Sequence, residues 1–132
     1  MNERKKVNLP KPKSLKKICD NLWRECCRAR AGYKSELSGD TKILQIHHIV
    51  NKPNNRLRFE LLNGICLTRA EHIYGIHSRD TVIANKYRKR ILREIGMGRY
   101  AYLLAFRKGI YKTDLKAVKI YLEEQLKIIK GE

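Results

Sequence analysis

A single short β-like region between two helical patterns limits this chain to a small mixed fold. Short β-like pieces punctuated by turn residues run from Tyr33 to Asn63, and residues 43–50 are the best strand candidate. Residues 68–77 follow a short helical pattern. The centre of the chain is therefore predicted to run strand, loop, strand, helix, within an α+β fold.

Helices are predicted on both sides of this centre. Ser14 can cap a first helix, which ends before Gly32. A C-terminal helical part is predicted over about residues 80–130, with Thr113 or Asp114 capping its last helix. That last helix carries one apolar stripe, formed by Leu115, Val118, Leu122, Leu126 and Ile129. The stripe could join two copies as a coiled-coil homodimer, but at barely two heptads packing within the chain is favoured.

The chain is strongly basic. Its 132 residues include 30 Lys and Arg against 13 Asp and Glu, a formal net charge of +17 at pH 7. Such an excess is typical of proteins that bind a polyanion, so DNA is the expected partner and a merely solvated surface is the alternative. No apolar run is long enough to span a membrane, so no membrane association is expected.

The cysteines give no sign of a metal ribbon or a disulfide framework. Cys19, Cys26, Cys27 and Cys66 contain no CxxC pair. We expect reduced thiols and a cytoplasmic location. Cys19 and Cys26 lie seven residues apart on one predicted helix face, where buried small residues are the usual interpretation.

All four histidines fall within about thirty residues: His47, His48, His72 and His77. Imidazole is a common ligand of divalent transition metals and a suitable general base near neutral pH. Neighbouring residues of a strand point to opposite faces, so His47 and His48 are expected to make different contacts. One of them can bind a metal ion while the other contacts a water molecule.

The spacing of these residues resembles that of a known nuclease family. The pair His47-His48, then Asn63–Leu67, then His72, resembles the signature of the HNH (ββα-metal, His-Me finger) endonucleases. The local sequences of residues 44–49 and 57–59 are closer still to those of the phage NinG (Rap) recombination nucleases. The likeness covers most of the chain after its first residues.

The resemblance implies a domain organisation. Residues 1–13, rich in Lys and Arg, are predicted to form a flexible basic arm. Residues 14–132 would form a single HNH nuclease domain, with a ββα core at about 42–78 flanked by the N-terminal helix and the C-terminal helices.

The resemblance also implies roles for individual residues. His48 would act as the general base, and His47 with His72 would hold one divalent ion. Asn63 would support the site by tying the second strand to the loop, which holds the ring of His48 in its working tautomer.

His77 is left open as a ligand. It follows His72 by five residues, which at roughly 100° each turns its side chain about 140° around an α-helix. A bulge near Gly75 could still bring it to the ion. One divalent metal ion is expected: Mg²⁺ or Mn²⁺ first, because two protein nitrogens leave an open shell, with Zn²⁺ or Ni²⁺ as alternatives. Whether a carboxylate of Glu36, Glu60 or Glu71 joins it is not decided.

The phage relatives carry two CxxC pairs that bind a structural zinc, and this chain departs from that pattern. Cys27 matches one position, but Arg30, Thr68 and Glu71 stand at the others. No structural zinc is expected, and packing and polar contacts would stabilise the region instead.

Two groups of basic residues are predicted to contact DNA. Arg56 and Arg58, expected in the loop and strand between the motif segments, could clamp phosphates. A second group shares one face of the first C-terminal helix and consists of Lys86, Lys89, Arg90 and Arg93.

These features predict a metal-dependent DNA endonuclease that hydrolyses phosphodiester bonds, of phage type and acting in the host cytoplasm on branched or recombination-intermediate DNA. Two alternatives stay open. One is a non-catalytic DNA-binding protein on an HNH scaffold, and the other is a nuclease that nicks duplex DNA or cuts RNA.

Overall fold

The computed structural model describes residues 14–51 and 54–132, so the basic arm predicted for residues 1–13 lies outside the described residues. The elements are α1 (Leu15–Arg30), β1 (Leu44–His48), α2 (Asn55–Arg58), a 3-10 turn (Leu61–Asn63), β2 (Gly64–Thr68), a π-helix (Glu71–Ile76), α3 (Thr81–Ile95), α4 (Met97–Ala105) and α5 (Leu115–Lys130). The predicted α+β class is confirmed. No helix among these residues is long and apolar enough to cross a membrane.

The sheet is one antiparallel pair, in which His47 lies opposite Ile65 and His48 lies opposite Gly64. Its two faces have different neighbours because side chains alternate along each strand. Ile46 and Cys66 pack into a core with α1 and α5, whereas Ile65 and Leu67 pack with the π-helix and α3. The strand histidines therefore start from opposite faces, as predicted.

Helix α5 packs lengthwise against α1. Ser14 caps α1, and Asp114 caps α5 through two backbone amides. All five residues of the predicted apolar stripe lie in the core cluster that α1 shares. The thiols of Cys19 and Cys26 are buried and approach the carbonyl oxygens of Leu115 and Leu122 at 3.4 Å. The stripe thus packs within the chain, which is the interpretation favoured above over pairing of two copies.

The segment between the strands differs from the prediction. Arg56 and Arg58 lie on the short helix α2, not in a loop and strand. Asn54 caps this helix through the backbone amide of Leu57, which turns a segment that alternates like a strand into one helical turn.

Gly64 lets α1 approach the sheet. A Cβ atom at this position would lie 2.5 Å from Cys27 Sγ, 2.8 Å from Trp23 Cζ2 and 3.2 Å from Ile46 Cγ2. The backbone of Gly64 is extended, with φ of −111°, so any residue could adopt its conformation. Glycine is required at this position because a side chain would collide with its neighbours, and not because the backbone needs a conformation that favours glycine.

We expect Gly64→Ala to lower the free energy of unfolding by about 1–3 kcal/mol, because the methyl group would displace Trp23 and Cys27. Urea denaturation measures the change. Gly98→Ala is the matched control, since Gly98 lies in α4 with open space around it. That control should change stability by less than about 1 kcal/mol, and toward greater stability. Equal effects of the two substitutions would contradict the close-approach explanation.

Candidate metal centre

Three imidazole rings converge where β1 meets the π-helix. One ligand nitrogen from each of His47, His72 and His77 lies within 4.8 Å of the other two. The Nε2 atoms of His72 and His77 are 3.1 Å apart, and the ring centroids of His47 lie 5.2 and 5.5 Å from those of His72 and His77. It is the one group of this kind among residues 14–51 and 54–132.

The π-helix brings His77 into the group. Its wider turn bonds each amide to the carbonyl five residues earlier, and His77 N donates to His72 O at 3.0 Å. Residues five apart therefore come closer to one face of the helix, which reduces the angular displacement expected for an α-helix. Gly75 lets Tyr87 of α3 pack closely against this turn, because a Cβ atom there would lie 2.9 Å from three ring atoms of Tyr87.

Gln45 orients His72. Its Oε1 atom accepts a hydrogen bond from His72 Nδ1 at 2.8 Å. With the hydrogen on Nδ1, the Nε2 atom of His72 presents its lone pair toward His47 and His77. Histidines that bind metals commonly donate their second nitrogen to an oxygen in this way. Gln45 lies two residues before His47, on the same face of β1, and sequence reasoning gave it no role.

His47 and His72 are held in their neutral forms. Burial lowers the pKa of His47 to about 3, and the charges of His72 and His77 act in the same direction. Burial also lowers the pKa of His72. Neutral imidazole is the form that binds a metal ion.

The donor set fits one transition metal ion. Two nitrogens bound to tetrahedral zinc at about 2.0–2.1 Å lie about 3.3 Å apart. The pair His72–His77 already has nearly this spacing, and His47 completes the group. The group contains no carboxylate. Glu36 instead accepts from the amide of Cys66, and Glu71 accepts from Ser35, at 2.7 and 2.6 Å.

His48 lies beside the group in a different environment. Its ring stacks on Trp23, with centroids 4.1 Å apart and planes 10° from parallel. Its Nε2 atom is 3.1 Å from the carbonyl oxygen of Arg58, which can only accept. In the neutral ring this contact places the hydrogen on Nε2 and makes Nδ1 the basic nitrogen. Asp20 holds Arg58 through two hydrogen bonds of 2.8 and 2.6 Å.

Asn63 fixes the loop after β1. Its fully buried amide accepts from Val50 N and donates to the carbonyl oxygens of Val50 and Leu57, at 2.8, 2.9 and 3.0 Å. Leu57 directly precedes Arg58, so Asn63 acts on His48 through the backbone that holds the Arg58 carbonyl.

The four positions aligned with the zinc element carry polar contacts. Thr68 and Glu71 form a reciprocal capping box at the start of the helical segment. Burial raises the pKa of Glu71, but its hydrogen bonds outweigh burial and hold the pKa below the ordinary value. Arg30 donates to the carbonyl oxygens of Leu61 and Gly64, both at 2.7 Å.

The predicted DNA-contacting residues do not gather at the histidines. The guanidinium of Arg58 is paired with Asp20, and that of Arg56 lies 3.7 Å from the centroid of Phe106. Lys86, Lys89 and Arg93 line a separate groove on α3. The guanidinium of Arg90 lies 5.3 Å from the ring centroid of Tyr87. Their contact with DNA stays a prediction.

Sequence reasoning missed two arginines near the histidines. Arg88 and Arg107 line a cleft together with His47 and His77. Arg88 lies about 200° around α3 from Lys86 and so projects from another side of that helix. The only signal for these two residues was their positive charge, which they share with the 28 other Lys and Arg residues of the sequence.

No family model matches the chain, and no curated protein or solved structure is significantly similar to it. The function must therefore be inferred from the residues and the geometry of the site.

We expect Gln45→Ala to weaken binding of Zn²⁺ or Ni²⁺ by about 10- to 100-fold, because His72 loses the acceptor that fixes its tautomer. Titration calorimetry of the metal-free protein measures the affinity. Gln125→Ala, on α5 and outside the histidine group, is the matched control and should bind as the wild type does. An unchanged affinity of Gln45→Ala would show that Gln45 does not orient the ligand.

Proposed function

We propose that the protein is a metal-dependent DNA endonuclease of the HNH class that hydrolyses phosphodiester bonds. One observation carries the proposal: three imidazole rings converge, and a fourth histidine lines the same small pocket in a separate hydrogen-bonded environment. The motif described above supplies the family, and the basic charge supplies the class of substrate.

His47, His72 and His77 would hold the ion. A divalent ion bound there would polarise the scissile phosphate and stabilise charge on the leaving oxygen. The first expectation of Mg²⁺ or Mn²⁺ depended on two protein nitrogens. Three imidazoles favour softer ions such as Zn²⁺ and Ni²⁺ in affinity, with Mn²⁺ weaker and Mg²⁺ weakest.

His48 would serve as the general base. It takes a proton from a water molecule at Nδ1 while Nε2 donates to the Arg58 carbonyl, which stabilises the imidazolium that forms. The water oxygen bonds to phosphorus, the bond from phosphorus to the leaving sugar oxygen breaks, and that oxygen takes a proton from solvent. Stacking on Trp23 and the Asp20–Arg58 pair hold the ring in place.

We further propose branched or recombination-intermediate DNA as the substrate, on the strength of the resemblance to phage recombination nucleases. A chain this small has few elements that can read base edges. Its affinity is therefore expected to come largely from phosphate contacts and to fall steeply with salt.

We expect His48→Ala to lower the cleavage rate by about 10²- to 10⁴-fold while DNA and metal binding persist, because only the proton acceptor is lost. The assay uses supercoiled plasmid and a synthetic four-way junction, each with EDTA, Mg²⁺, Mn²⁺, Ni²⁺ or Zn²⁺. EDTA should abolish cleavage by the wild type, and the junction should be cut in preference to the duplex.

His72→Ala is the contrasting variant, since every histidine of the chain lies at this site. It should lose both metal binding and cleavage. Retained metal binding in His48→Ala shows that this variant has folded. A wild-type protein that binds DNA but cuts nothing with any of these ions would instead be a non-catalytic DNA-binding protein.

A further inference from the structure

A cleft of about 390 Å³ opens directly beside the three-histidine group. It shares His47 and His77 with that group, so a molecule bound in the cleft would touch the proposed metal site. Pockets that enclose small ligands have volumes of about 300–1,000 Å³. A DNA duplex cannot enter such a space, since its two grooves alone are about 6 and 12 Å wide. The cleft has the size for one nucleotide.

Its lining suits both parts of a nucleotide. Val50 and Ile76 are buried, and with Tyr100 and Leu104 they give the cleft apolar and aromatic contacts for a base. The polar contacts come from Asn51 and two arginines. Guanidinium groups are well suited to binding phosphate.

The two arginines, Arg88 and Arg107, are exposed and form no ion pair with a carboxylate among residues 14–51 and 54–132. The ion pairs between described residues involve Arg28, Arg58 and Lys119, and neither cleft arginine takes part. Arg58, in contrast, forms an ion pair with Asp20 within the protein.

We propose that this cleft binds one unpaired nucleotide next to the scissile phosphate, with its base against Tyr100 and Leu104 and its phosphates near Arg88 and Arg107. The proposal rests on the nuclease function proposed above and narrows its substrate. DNA with an unpaired nucleotide at the cleavage point should be preferred over a continuous duplex, because no base pair has to be broken before the base enters the cleft. A branched DNA in which every base is paired would not supply the nucleotide that this cleft binds.

The first test compares three labelled DNAs of matched sequence: a continuous duplex, a fully paired four-way junction, and the duplex with one bulged nucleotide. We expect cleavage of the bulged DNA to be at least about tenfold faster than cleavage of the others, since stacking one base contributes on this scale. Equal rates on all three DNAs would contradict the proposal and leave the nuclease function standing.

Leu104→Trp tests the cleft itself. Leu104 is 38% exposed, so a larger side chain can be accommodated while it fills the space. It should slow cleavage of the bulged DNA by about tenfold and leave the duplex rate nearly unchanged. Ile120→Trp on α5, which is 68% exposed and outside the cleft, is the matched control. A variant of Leu104 that still prefers the bulge as the wild type does would overturn the proposal.

The arginines are tested through salt dependence. Arg88→Gln and Arg107→Gln should each lower the slope of log affinity against log salt by about 0.7–0.9, as expected for one lost phosphate contact. Arg24→Gln is a close control, because Arg24 bonds Asn21 at 3.2 Å much as Arg88 bonds Asn85 at 3.3 Å. An unchanged slope in both cleft variants would contradict their assignment.

A readout without cleavage separates this proposal from the nuclease function. Aminopurine, a fluorescent base, is placed at the bulge, and binding is followed in EDTA. Quenching on binding, absent when aminopurine is paired elsewhere in the duplex, supports the cleft even if no DNA is ever cut. Cleavage with no quenching supports the nuclease and rejects the cleft, and the absence of both rejects both proposals.

Discussion

Three hydrogen bonds from the buried amide of Asn63 determine how the centre of the molecule is arranged. They join the start of β2 to Val50, just after β1, and to Leu57 on α2. Because the amide is fully buried, any substitution would leave backbone groups of this loop without partners, at about 1–3 kcal/mol each. The Arg58 carbonyl that contacts His48 follows Leu57, so the same constraint sets the position of the proposed base.

Local patterns predicted the elements that local forces determine. The Ser14 and Asp114 caps, the strand at residues 44–48 and the α5 stripe follow from side-chain chemistry and periodicity. The π-helix could not be derived in this way, since the close contact of Gly75 with Tyr87 of another helix is not visible in a local pattern. The sequence motif therefore predicted that His47, His48 and His72 lie together, but it left the role of His77 as a ligand open.

Hydrogen bonds fix the π-helix relative to the strands. Thr68 ends β2 and also caps the helical segment, and Glu71 returns the bond while Ser35 anchors it from the preceding loop. At the other end of β2, the Gly64 carbonyl accepts from both Arg30 and Arg99. Polar contacts at both ends of one strand thus determine where His72 lies relative to β1.

The charge of +17 favours a polyanionic partner but does not predict a binding surface, because the arginines serve two purposes. Arg30, Arg58 and Arg99 donate to groups of the protein, and burial lowers the pKa of Arg99. Removing such residues would change folding as much as binding. Arg88 and Arg107 form no ion pair within residues 14–51 and 54–132, and they line a cleft with two of the converging histidines. Their position, and not their number, relates the basic charge to the site.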